Sequence, residues 1–195
     1  MIRSRYLILL LAAAPALPAS AQSPALAATP FVDRLRSVLP SGEYVRRAAA
    51  YEVYQRQAAQ AMLRTSRNPA IRRLAQQLLG EHGRAATDLR AAAAKSGIRI
   101  DAALSTVELK QMVEKLGFAA ADVRDTLYLS QQRTVHERAL AMHQDYAQSG
   151  DQPALKEAAA RLAALEQAHL ELIIAAATAV PTPVSTPPAA TAPRP

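Results

Sequence analysis

The sequence predicts an all-α fold, a four-helix bundle with a short extra helix between helices two and three. Three observations carry this. Apolar residues recur at steps of three and four over four long stretches, the period of one face of a helix. Half of the 195 residues are hydrophobic, much of that share is alanine, and aromatics make up only 4%, a composition that favours close helix packing over sheets. The strong helix breakers then fall at the seams between those stretches: Asn68-Pro69, Gly97, Gly117 and Gly150 to Pro153.

The first 21 residues read as a signal peptide. Met1 to Tyr6 is a basic start, Leu7 to Leu17 an apolar core interrupted by Pro15, and Ala19-Ser20-Ala21 a small-residue cleavage pattern. The apolar run is too short to span a bilayer comfortably, so secretion is expected, with no transmembrane span after cleavage. Residues 22–40 form a flexible Ser/Ala/Pro-containing lead-in. The bundle domain is expected over 41–178.

Ser41 and Glu43 suit the start of helix one, which runs to about Ser66. Asn68 caps helix two, with Pro69 in its tolerated first turn and Gly97 as its stop. Asp101 to Leu116 reads as the short extra helix, with Ser105-x-x-Glu108 as a capping box and Gly117 as its end. Helix three is expected from about Ala120 to Gln148. Asp151 caps helix four, whose first turn holds Pro153 and which fades near Thr178. Residues 179–195 are a Pro/Thr/Ala tail too poor in large apolar side chains to fold, and read as disordered.

The formal net charge is +7, and loss of the leader with Arg3 and Arg5 lowers it to +5. The remaining arginines are dispersed and lack accompanying aromatics, so a solvated surface is expected and specific nucleic-acid binding is not. With no cysteine, disulfides, thiol catalysis, thiolate metal sites and lipid attachment at a cysteine are excluded, and packing must hold the domain. There is no nucleophile elbow, no phosphate-cradling glycine loop and no dinucleotide fingerprint.

Four core-facing stripes can be read. They are Tyr44-Ala48-Glu52-Gln55-Ala59-Met62, Ile71-Leu74-Leu78-His82-Ala85-Leu89, Asp125-Leu129-Gln132-His136-Leu140-His143 and Leu155-Ala158-Leu162-Leu165-His169-Leu172. A competing stripe on helix three runs Val123-Leu127-Thr134-Ala141. Each main stripe carries a metal-capable residue near mid-length: Glu52, His82, His136 and His169. His143, near a helix end, reads as surface or secondary. Glu52 and His82 lie about fifteen residues either side of the first turn, which sets them level at roughly 1.5 Å per residue. His136 and His169 differ by about one helical turn, whereas Glu166 is almost level with His136.

Glu166-x-x-His169 has the spacing of carboxylate-bridged di-metal bundles, but the second such motif and two further glutamates are missing. A mononuclear imidazole and carboxylate site for zinc, copper or iron remains chemically reasonable, with Glu81 and Glu166 as spare ligands or supporting carboxylates. The competing reading is a buried His/Glu core that only fixes helix register.

Glu52-Val53, Glu81-His82, Asp125-x-x-Tyr128 followed by His136, and His169-Leu170, in this order, resemble the exported domain-of-unknown-function family numbered 4142 over about residues 44–173. Arg124 replaces an aromatic usual there, and Ala164 a common proline. The resemblance implies a ferritin-like bundle and a periplasmic or envelope location, and it implies no established reaction. The expectation is a secreted, envelope-associated and non-enzymatic structural, stress or interaction module with a buried His/Glu core and an unidentified envelope protein as partner. The alternative is a metal-binding ferritin-like bundle, a carrier or oxidoreductase, with a divalent transition metal as candidate cofactor. Oligomeric state is not readable.

Overall fold

The computed structural model describes residues 39–100 and 106–179, and all regular structure among them is helical. Five helices follow in order: α1 Ser41–Thr65, α2 Pro69–Lys95, α3 Val107–Phe118, α4 Ala121–Ser149 and α5 Pro153–Ala179. Residues 1–38, 101–105 and 180–195, on which the expected signal peptide, most of the lead-in and the Pro/Thr/Ala tail fall, lie outside the described residues.

Helix ends follow local chemistry. Asn68 accepts from the backbone N–H groups of Ala70 and Ile71, with Pro69 at the first helical position, so α2 begins where the orphan donors find a partner. It stops at Gly97, whose φ of 69° is the left-handed conformation that ends helices. At α3 two expectations are corrected. The cap is Thr106, whose hydroxyl accepts from the Leu109 N–H at 3.2 Å, while Ser105 lies outside the described residues. Gly117 sits within the last turn and α3 runs on to Phe118. Asp151 lies two residues before α5, and its Oδ1 accepts the Tyr146 hydroxyl at 2.8 Å.

The helices pair as two hairpins, α1 with α2 and α4 with α5, and α2 then packs on α5 and α1 on α4. One apolar cluster joins the end of α1 (Met62), the start of α2 (Ile71), α3 (Leu109, Leu116), the start of α4 (Tyr128) and the end of α5 (Ile173). A second joins the start of α1 (Tyr44), the end of α2 (Leu89), the end of α4 (Tyr146) and the start of α5 (Leu155). The link from α2 to α4 therefore crosses the length of the bundle, and every neighbouring pair of long helices is antiparallel. One long crossover of this kind is the ferritin-like connectivity. The short helix α3 lies against α1 and α4 at the first cluster.

The α1 and α2 stripes are buried throughout as predicted. On α4 the His136 stripe is the inward one, and Val123 of the competing stripe is 40% exposed. On α5 the inward face drifts away from the predicted stripe. Glu166, Leu170 and Ile173 are buried, while Leu172 is 38% exposed. By length and composition α5 could cross a membrane, yet its inward face carries Glu166 and His169 into the bundle.

Candidate metal centre

Between the two apolar clusters lies a polar layer to which all four long helices contribute. His82, His136, Glu166 and His169 each offer one ligand-capable atom, and these atoms all lie within 4.8 Å of one another. None of the four residues is more than 1% exposed. Antiparallel neighbours put their mid-points at one height, and this is why residues so distant in sequence meet.

Each imidazole is held by one ring nitrogen. His82 Nδ1–H donates to Glu52 Oε2 at 2.9 Å. His136 Nδ1 lies 2.8 Å from the Gln132 carbonyl, which only accepts, so that nitrogen carries the proton and Nε2 holds the lone pair. The Gln55 amide also lies 3.0 Å from His136 Nδ1. His169 Nε2 meets Glu81 Oε2 at 2.5 Å. The opposite nitrogens face the centre of the layer. His82 Nε2 and His136 Nε2 are 3.4 Å apart, His136 Nε2 is 3.5 Å from Glu166 Oε2, and His169 Nδ1 and Glu166 Oε2 are buried without a hydrogen bond among the described residues.

Charge is balanced tightly in this layer. Burial pulls His82 down, but its hydrogen bond to Glu52 and the charge of Glu52 outweigh that and hold it above the ordinary histidine value. Burial and the neighbouring His82 charge push His136 well down and His169 down. Burial raises the Glu166 carboxyl to about 8. For Glu81 burial raises, but the hydrogen bond and charge of His169 prevail and the net shift is downward.

The structure brings all six sequence-selected residues into one layer. His82, His136, Glu166 and His169 form the inner group, while Glu52 and Glu81 stand behind His82 and His169. His136 and His169 fall in the same group despite their difference of a turn, with ring centroids 5.4 Å apart.

One expectation is overturned. His143 is fully buried, and its Nδ1 accepts the Tyr44 hydroxyl at 2.9 Å. Tyr44 in turn stacks on Tyr146 with centroids 3.8 Å apart. His143 follows His136 by seven residues, on the same face, and that spacing was the available signal. Toward the first apolar cluster, Gln131 accepts from the Tyr54 hydroxyl at 3.1 Å, and the Gln132 side-chain amide and the Tyr128 hydroxyl are buried without a hydrogen bond among the described residues.

A family model described as Domain of unknown function (DUF4142) matches residues 22–175. Comparison with curated proteins finds no match. Among solved structures, the chain is similar to a DUF305 fragment from Deinococcus radiodurans, with a TM-score of 0.61, 15% identity, and coverage of 70% of this chain and 93% of that one. At that identity the likeness shows a shared helical fold.

Proposed function

The chain belongs to the DUF4142 family of domains of unknown function, and from the geometry of its buried layer we propose that it binds one divalent transition metal ion through His82, His136, Glu166 and His169. A single observation carries the reading. Metal–ligand bonds of about 2.0–2.1 Å in a tetrahedral site separate neighbouring ligand atoms by about 3.4 Å. The His82 Nε2 to His136 Nε2 and His136 Nε2 to Glu166 Oε2 separations are 3.4 and 3.5 Å. Glu52, the Gln132 carbonyl and Glu81 hold the remote nitrogens, as supporting groups do around imidazole ligands. Three imidazoles and a carboxylate suit zinc, copper or iron. The leader-like segment supports a periplasmic or envelope setting for such a protein, as a metal carrier or an oxidoreductase.

A second reading has its own observation. Each histidine already has one ring nitrogen in a hydrogen bond, so the layer can fix helix register with no ion, as in a non-enzymatic structural, stress or interaction module of the envelope. Against it stand Glu166 Oε2 and His169 Nδ1, which make no hydrogen bond among the described residues and which in a purely structural core are costly to bury.

Untagged protein purified from its native compartment without chelators should carry close to one metal ion by elemental analysis, and His82→Ala should carry none. Excess zinc at about a hundred times Kd should stabilise the wild type by about 2.7 kcal/mol and leave His82→Ala unmoved. A wild type that takes up neither zinc, copper nor iron would leave only the structural reading.

A further inference from the structure

An ion bound in this layer has to get in. Along the bundle axis the route is closed at both ends, because one apolar cluster lies above the polar layer and the other below it. Passage must be lateral, between helices. Of the three carboxylates that touch the histidines, Glu52 and Glu166 are 2% and 1% exposed, whereas the Glu81 side chain is 25% exposed.

Glu81 faces both ways. Its Oε2 meets the buried His169 Nε2 at 2.5 Å. Its Oε1 looks outward, with Gln77 Nε2 at 3.4 Å and Arg84 at 3.9 Å. It also lines a surface pocket of about 300 Å³ in the groove between α2 and α5, together with Arg84, Asp88, Arg161, Leu162 and Leu165. The pocket floor is therefore one carboxylate away from the proposed metal ligands.

We propose that this pocket is the metal port and that Glu81 is a capture ligand, taking a hydrated divalent cation from solvent and passing it inward beside His169. The inference rests on the metal-binding reading above. A carboxylate exchanges for water on a hard or borderline cation readily, and Glu81 and Asp88 offset the charges of Arg84 and Arg161 in the pocket. Arg84 holds the outer oxygen only at 3.9 Å, so this contact yields to an incoming cation. Movement of Glu81 away from His169 opens the way, and its return closes the layer behind the ion. Glu81 is then a transit group for the ion and the four buried residues are its resting ligands.

The test is stopped-flow uptake of cobalt(II) by the full-length apoprotein, followed through the visible absorption of the bound ion. Glu81→Gln keeps an oxygen that accepts from His169 Nε2–H and removes the charge, so positioning is preserved and capture is not. Expected is uptake slowed about tenfold, with one cobalt ion still bound per chain at saturating cobalt and Kd weakened no more than in Glu52→Gln. Leu165→Trp, which fills the pocket without touching the histidines, should slow uptake and release alike and leave Kd near the wild-type value. Uptake by both variants at the wild-type rate overturns the port. Loss of cobalt at equilibrium in Glu81→Gln overturns it too, by making Glu81 a resident ligand. A wild type that binds no cobalt at all defeats the metal reading itself, which separates the two failures.

Discussion

Glu52 and His82 lie thirty residues apart on antiparallel helices and meet at 2.9 Å, both all but excluded from solvent. The contact keeps a proton on His82 Nδ1 and points Nε2 at His136, so that the Nε2 lone pair faces the inner group once its own proton has left. It also stops His82 from swinging about its χ angles. Removal of one partner of such a buried pair strands the other, at a cost of about 3–5 kcal/mol.

Glu52→Ala is therefore expected to weaken metal binding about 10- to 100-fold, with the ligands themselves intact. Glu52→Gln, which keeps an acceptor oxygen, should fall between the two. Competition with a chromophoric chelator reads both affinities. Equal Kd for all three proteins would mean that His82 is held by packing alone.

Arg124 ties three chain segments together. Its Nε donates to the Leu116 carbonyl at 3.1 Å, Nη2 to the Ala119 carbonyl at 2.5 Å and Nη1 to the Thr65 carbonyl at 3.5 Å. These carbonyls belong to the C-terminal ends of α3 and α1, where acceptors are orphaned and a cation is favoured. Arg124→Met should lower stability by about 1.5–3 kcal/mol in urea unfolding, and Arg124→Lys, with one donor centre in place of a fork, by less. A change within about 0.5 kcal/mol for Arg124→Met would show that water replaces these bonds without loss. An arginine here suits α3 and α4 meeting at a tight corner, whatever side chain the family usually places there.

The four-helix plan was legible because it rests on local rules. Asn68-Pro69 and Gly97 carry their own helix ends, and Glu52 and His82 could be levelled by counting from a turn. Other features depend on contacts that no local rule contains. His143 looked like a frayed end on α4 because its enclosure comes from Tyr44, ninety-nine residues away. Leu172 was misplaced because strict steps of three and four drift around a helix of 3.6 residues per turn, and over α5 that drift turns Ile173 inward instead. Glu81 could be read as a spare ligand or supporting carboxylate, with no histidine assigned to it. Its reach across to His169, eighty-eight residues on, needs the packing of α2 on α5.

Gly150 makes the α4–α5 turn possible by its lack of a side chain. A Cβ there would sit 2.5 Å from the Tyr146 ring and 2.6 Å from the Tyr146 carbonyl oxygen. The backbone φ of −62° is open to any residue, so the obstacle is space and not conformation. Gly150→Ala should cost about 1–3 kcal/mol through overpacking. Because Tyr146 is stacked on Tyr44, the near-ultraviolet circular dichroism of the tyrosines should change with it. Unchanged stability and an unchanged spectrum would mean that the turn relaxes freely.

The acid limb of stability should carry the mark of His143. Tyr44, its phenol raised far above the ordinary value by burial, donates to Nδ1, so the proton of neutral His143 sits on Nε2, which is buried and unpartnered. Burial, then the charge of His82 on α2, hold His143 at about 3. Neither Tyr44 from α1, which donates to it, nor His82 from α2 carries a negative charge at neutral pH. In the unfolded chain the same imidazole titrates near about 6.5. Between those values the unfolded state binds a proton that the folded state refuses, so stability present above about 6.5 is lost as pH falls toward about 3, by up to about 1.4 kcal/mol per pH unit. His143→Gln, whose amide oxygen can still accept from Tyr44, removes this contribution. Urea unfolding of wild type and variant from pH 7 to pH 4.5 should give stability curves that converge, or cross in favour of the variant, as pH falls. Curves that stay parallel would mean that His143 takes up its proton as readily folded as unfolded, and that the Tyr44 contact opens to water at no cost.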